Sequence, residues 1–221
     1  DGTTVSIGSA LTPGTSAVIV NGNADGSEMA ATITGGSSVS IGGNNAFGVR
    51  LTGSGVGNTG SVTVDGASQI TASNSVNIDI SNPGLHKATA ISVETSGASS
   101  MGYVSLSGDA DVSASATNAL NLALSTGVSN KAGDGGVQTI VDNASLSSTA
   151  TSLETSTAFG IDNQSVGGVA EATVKGAGSV SAAAETFTIL GSGVQASATA
   201  IRNASDTQNA FVSVTEGGTL V

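Results

Sequence analysis

The stretch Ala172-Thr173-Val174-Lys175-Gly176-Ala177-Gly178-Ser179-Val180 decides the fold of this chain. It reads as two short alternating runs joined by a turn of small residues. Alternation with period two puts successive side chains on opposite faces of a strand, and glycine frees the backbone to turn a corner. Working outward, the rhythm returns in Thr32-Ile33-Thr34-Gly35-Gly36, Thr63-Val64-Asp65-Gly66-Ala67 and Ser105-Leu106-Ser107-Gly108-Asp109. The central aliphatics give the anchors Val5, Ile33, Val64, Leu106, Ile140, Val174 and Val214. Six residues after each stands a second aliphatic: Leu11, Val39, Ile70, Val112, Leu146, Val180 and Leu220. A Ser or Thr precedes every anchor (Thr4, Thr32, Thr63, Ser105, Thr139, Thr173, Ser213). Another follows the second aliphatic at Thr12, Ser40, Thr71, Ser113, Ser147 and Ser181, failing at Val221.

Anchor spacings of roughly 28 to 42 residues suit the stacked coils of a solenoid. Length variation is assigned to loops at residues 82–88 and 125–136. A third aliphatic segment recurs at 17–20, 47–51, 76–80, 120–124, 159–161 and 187–190. Each coil is therefore expected to hold three short strands, with the Ala-rich stretches 181–185 and 196–200 read as further coil segments. Residues 1–221 are expected to form one all-β domain, a single-stranded parallel β-solenoid (β-helix) of about six to seven irregular coils. A β-sandwich is the alternative, since short strands and Gly turns serve both.

Composition agrees. The 221 residues include 32 Gly, 2 Pro, four Phe, one Tyr and no Trp or Cys, so a core of large side chains, a disulfide framework and thiol chemistry are excluded. Disorder fits no better, because hydrophobic residues make up 38% and mean hydropathy is +0.23. Five Lys and Arg against 16 Asp and Glu give a net charge of −11. The basic residues Arg50, Lys87, Lys131, Lys175 and Arg202 are spread along the sequence and announce no basic patch, which argues against a nucleic-acid partner. No run approaches 18 apolar residues, so no membrane-inserted helix is expected.

Solenoids normally cap their ends, and this sequence reads as uncapped, starting within a repeat at Thr3-Thr4-Val5 and stopping within one at Thr219-Leu220-Val221. Either the chain is a segment of a longer β-helical protein or its ends join subunits head to tail; the second is preferred. The Gly/Ser/Thr/Ala/Val-rich coils resemble bacterial surface β-helix proteins: autotransporter passengers, filamentous-haemagglutinin-type adhesins and extracellular fibre subunits. That resemblance implies an extracellular or cell-surface location and a structural or adhesive role. The expected function is a non-enzymatic structural protein whose partner is itself, a homopolymer forming a fibre or surface layer through terminal strand pairing. The alternative is an adhesin binding glycans or a cell surface through the two loops. A β-helical polysaccharide-degrading enzyme ranks third. The expected subunit-interface residues are Thr3, Thr4, Val5, Val212, Val214, Leu220 and Val221, with Tyr103 and Phe211 as outward aromatics for lateral contact.

Chemistry-bearing residues are few. His86 is read as an exposed loop residue, because one histidine without Cys builds no zinc site. Gly191-Ser192-Gly193 reads as a turn and not as a nucleophile elbow. Asp109 and Asp111 share a face, but a glycosidase cleft needs two carboxylates with sugar platforms, so no catalytic residue is assigned. No cofactor is expected; calcium is the one weak candidate, through Gly108-Asp109-Ala110-Asp111 and Gly133-Asp134-Gly135-Gly136. An ice-binding threonine array is disfavoured, since Asp65, Val141 and Lys175 interrupt it. Three sequons, at Asn143, Asn163 and Asn203, fit the N-glycosylation pattern.

Overall fold

The structure, a computed structural model, describes residues 3–10, 15–75, 86–118, 122–187 and 195–221. The chain winds through three faces in turn. Coil one holds β1 (Thr4–Ala10), β2 (Ser16–Gly22) and β3 (Glu28–Ile33). Coil two holds β4 (Ser38–Gly43), β5 (Ala46–Gly53) and β6 (Thr59–Val64). Coil three has β7 (Gln69–Ser75), β8 (His86–Thr95) and β9 (Met101–Ser107). Coil four has β10 (Asp111–Asn118), β11 (Leu122–Ala132) and β12 (Val137–Asp142). Coil five has β13 (Ser145–Ser152), β14 (Thr155–Ser165) and β15 (Ala170–Lys175). Coil six has β16 (Ser179–Thr186), β17 (Gln195–Ser205) and β18 (Ala210–Val214), and β19 (Thr219–Leu220) begins another turn.

Strands of like position stack in order: β1-β4-β7-β10-β13-β16-β19 form sheet A, β2-β5-β8-β11-β14-β17 sheet B, and β3-β6-β9-β12-β15-β18 sheet C. Every strand pair among the described residues is parallel. The fold is the expected parallel β-solenoid, and the two-sheet sandwich is ruled out. Such a sheet, buried on its inner face, suits Val, Ile and Leu packed in columns.

Register corrects two assignments. Val5 pairs with Val39 in sheet A, so it heads the column Val39, Ile70, Val112, Leu146, Val180, Leu220. It is not an anchor of sheet C, and Ser6, paired with Ser40, replaces Thr12 in the flanking column; Leu11 and Thr12 lie outside the described residues. In coil four the anchor column, which runs Leu106, Val141, Val174, passes through Val141 and not Ile140. The physical reason is a turn shortened by one residue, Asp142-Asn143-Ala144-Ser145 between Val141 and Leu146. Thr139 therefore points inward and is wholly buried. The third-strand segment 76–80 lies outside the described residues, as do 188–190; coils three and six place β8 and β17 on that face.

At the corner from sheet C to sheet A, the second residue after the anchor takes positive φ in every coil: Gly35 (67°), Gly66 (65°), Gly108 (62°), Asn143 (51°), Gly176 (59°) and Glu216 (55°). Four are glycine, as a left-handed corner requires. A continuous core of aliphatic residues runs inside from Met29 to Val180. Hydroxyl columns face out, and Thr71 Oγ1 lies 3.3 Å from Ser113 Oγ one coil above.

Candidate functional site

Sheet B carries the chemistry. Its strands place two consecutive buried residues at their midpoint: Gly48-Val49, Ala90-Ile91, Gly127-Val128 and Gly160-Ile161. The glycines sit where a Cβ would collide with sheet A, 2.6 Å from Ile70 Cγ2 at Gly48, 2.6 Å from Leu146 Cδ1 at Gly127 and 2.5 Å from Val180 Cγ1 at Gly160. With two residues in succession directed inward, the strand bends there, and the outward residues on either side tilt toward each other. Outside the bend lies a trough. It is lined by the outward pairs Phe47 and Arg50, Thr89 and Ser92, Thr126 and Ser129, Phe159 and Asp162, Thr199 and Arg202, coil upon coil.

Four of the five basic residues converge on this face. Arg50, Ser92, Ser129, Asp162 and Arg202 share one column, Lys131 follows Glu94 in the next, and Lys87 stands at the near rim beside Leu124. The Arg50 guanidinium lies 4.8 Å and the Lys87 ammonium 5.3 Å from the Phe47 ring centre, so one buried ring holds two cations. Arg202 lies 4.3 Å from the Phe159 ring. It also clamps Asp162, Nε donating to Oδ1 at 2.7 Å and Nη2 to Oδ2 at 2.6 Å, while Gln164 Nε2 donates to both oxygens at 3.0 Å. That hydrogen-bonded carboxylate holds the Arg202 pKa above its ordinary value.

Arg50, Lys87 and Lys131 form no ion pair among the described residues; the two present are Arg202–Asp162 and Lys175–Asp142. Burial, then Lys131, pushes the Lys87 pKa down, with Glu94 opposing and Arg50 adding to the push. Glu94 lies seven positions along the same strand. On the trough floor the Thr89 hydroxyl is buried without a partner, as is Arg50 Nε. The trough opens at its far rim into a depression of about 380 Å³ lined by Lys131, Gln164, Ser165, Arg202, Ala204 and Asp206. Basic residues dispersed along the sequence thus share one face through the coil register, with Arg50 and Arg202 four coils apart in the same column.

The expected interface residues divide between the two ends. Thr3, Thr4 and Val5 lie at the β1 edge. Val212, Val214, Leu220 and Val221 lie at the opposite edge, 50%, 42%, 41% and 76% exposed, whereas Leu106 and Val174 in the same columns are fully buried. Tyr103 and Phe211 share an outer column of sheet C with Gln138 and Glu171 between them. Both aromatics are exposed, and Tyr103 Oη donates to Met101 Sδ at 3.0 Å.

Other expectations move. Of 125–136, residues 125–132 belong to strand β11 and are mostly buried, and the loop is confined to 133–136; of 82–88, residues 82–85 lie outside the described residues and 86–88 belong to β8. His86 opens β8 half-buried, Nδ1 3.3 Å from the Thr117 carbonyl, and not in a loop. Gly191-Ser192-Gly193 lies outside the described residues. Asp109 and Asp111 are exposed at the start of β10, and among the described residues no three His, Asp or Glu side chains converge. Asn163 is wholly buried and Asn203 points inward, so neither can accept a glycan; Asn143 alone of the three is exposed. No protein-family model, curated protein or solved structure matches the chain.

Proposed function

We propose that this chain is a non-enzymatic structural protein, placed outside the cell or on its surface, that assembles head to tail into a fibre or layer. The observation that carries the reading is the match between the two ends of the stack among the described residues, since β1, β2 and β3 at one edge and β17, β18 and β19 at the other belong to the same continuous columns. Unpaired N–H and C=O groups along such an edge template a further parallel strand. A second copy is the natural occupant, because its columns continue those it would meet. With the next copy's β3 seated on β18, Val214 would be followed by Ile33 and Val212 by Ala31, and the incoming Val5 would take the place of Leu220 above Val180. The contact is heterologous, so it propagates. Covering the half-exposed Val212 and Val214 contributes about 1 kcal/mol each, and edge hydrogen bonds add direction.

Sedimentation velocity and electron microscopy of the purified chain test this. The expected result is concentration-dependent filaments one solenoid wide, lost on Val214→Lys with the strand signal in circular dichroism retained. Discrete monomers at high concentration would overturn it. The outward aromatics Tyr103 and Phe211 then serve lateral contact between filaments, and Phe211→Ser is expected to narrow bundles without shortening them.

A further inference from the structure

We propose that the trough on the outer face of sheet B, walled by Arg50, Lys87 and Lys131, binds an acidic polysaccharide through its carboxylate groups. The placement is the first argument. In a chain of net charge −11, four of five basic residues stand on one face of one sheet, and three of them lack an ion-pair partner among the described residues. Rings and bends hold them there: Phe47 lies under both Arg50 and Lys87, and the double inward step at residues 48–49 turns them toward the trough. Positioned cations are what a carboxylate requires, since charge-assisted hydrogen bonds strengthen where water is restricted.

The floor supplies the second argument. Between the cations run Thr89, Ser92, Thr126 and Ser129, each no more than 9% exposed, so a ligand would lie over a closed polar floor and meet the cations at the rims. Cations along the rims of a polar groove suit a sugar polymer that bears carboxylates. A nucleic acid matches poorly. A single strand needs open ring faces for stacking. Phe47 is only 9% exposed, and the protein's own cations lie against it.

Titration of the chain with polygalacturonate, a neutral glucan and a single-stranded oligodeoxynucleotide at low and at raised salt tests the assignment. Polygalacturonate alone should bind, with affinity falling as salt screens the pairs. Arg50→Gln, Lys87→Gln and Lys131→Gln should each weaken it about three- to tenfold. Lys175→Gln, on sheet C, should leave it unchanged. Amine acetylation read by mass spectrometry needs no variant: the polymer should protect Lys87 and Lys131 but not Lys175. Equal or tighter binding of the oligonucleotide, binding indifferent to the three substitutions, or no binding would overturn the proposal. So would salt-sensitive self-association abolished by the same substitutions, which would assign the trough to acidic side chains of a second copy.

Discussion

The lower three coils and the upper three solve one corner differently. In sheet B a single inward column reads Val20, Leu51, Val93 in coils one to three, then Asn130, Asn163, Asn203 in coils four to six. The aliphatic half closes on bare backbone. A Cβ at Gly60 would come within 2.7 Å of Val93 Cγ1, so the valine fills the space a side chain there would take. The asparagine half bridges to sheet C by hydrogen bonds. Asn130 Nδ2 donates to the Gly102 and Gln138 carbonyls at 3.1 Å each, Asn163 Nδ2 to Glu171 at 2.6 Å, and Asn203 Nδ2 to Ala170 at 2.7 Å and Phe211 at 2.6 Å. Thr139 Oγ1 donates to Asn163 Oδ1 at 2.7 Å, tying coil four to coil five. A dry column tolerates change in proportion to volume lost. A ladder of buried amides fails by leaving partners unsatisfied.

The comparison can be broken most severely by crossing the two solutions. Leu51→Asn puts a carboxamide where no ladder receives it, and it is expected to cost about 3–5 kcal/mol in urea unfolding, cavity and unpaired amide together. Next comes Asn163→Val, expected to cost about 2–3 kcal/mol because it strands the Glu171 carbonyl and the Thr139 hydroxyl. Adding Thr139→Val should recover part of that loss. It restores the aliphatic identity held in the same column by Val62 and Val104, and a double-mutant cycle reads the coupling. If the two losses simply add, the ladder is not a cooperative unit.

A smaller effect is expected at the left-handed corner, which is glycine in every lower coil but Asn143 and Glu216 in two upper ones. Glu216→Gly should stabilise by up to about 1 kcal/mol, since an L side chain at that φ is strained. The smallest concerns charge. Arg202 in the upper half is paired, whereas Lys87 in the lower half is held below its ordinary pKa of 10.5 by burial and by Lys131. The unfolded chain binds that proton more readily, so the penalty is present at neutral pH. It is relieved as pH rises through the lowered value toward 10.5. Stability should rise across that alkaline window, by on the order of 1–2 °C in Tm, and Lys87→Gln should flatten the profile.

How much of this was legible depended on whether neighbours in space share a rhythm in sequence. The sheet A column and the glycine corners were readable, because both recur with every coil and side-chain alternation marks the inner face. A constant offset of six misread Ile140 for Val141, since one shortened turn breaks the count without breaking the pairing. The asparagine ladder hid behind its own spelling: Asn163-Gln164-Ser165 and Asn203-Ala204-Ser205 look like glycan acceptors until register turns the amides inward. The trough was least visible. Arg50 and Arg202 share a column only after four intervening coil-to-coil steps, each of unequal length, and the bend that tilts them depends on glycines whose role is contact with another sheet.

The shortened turn after Val141 carries a practical lesson for anyone wishing to decorate this scaffold. Leu146 still meets Val112 below it and Val180 above it although one amino acid is missing upstream. Each rung resets its own alignment, so a deletion at a bend is absorbed where it falls. Foreign peptides spliced beside Asn143 should therefore be displayed on the exterior while the rungs above keep their phase.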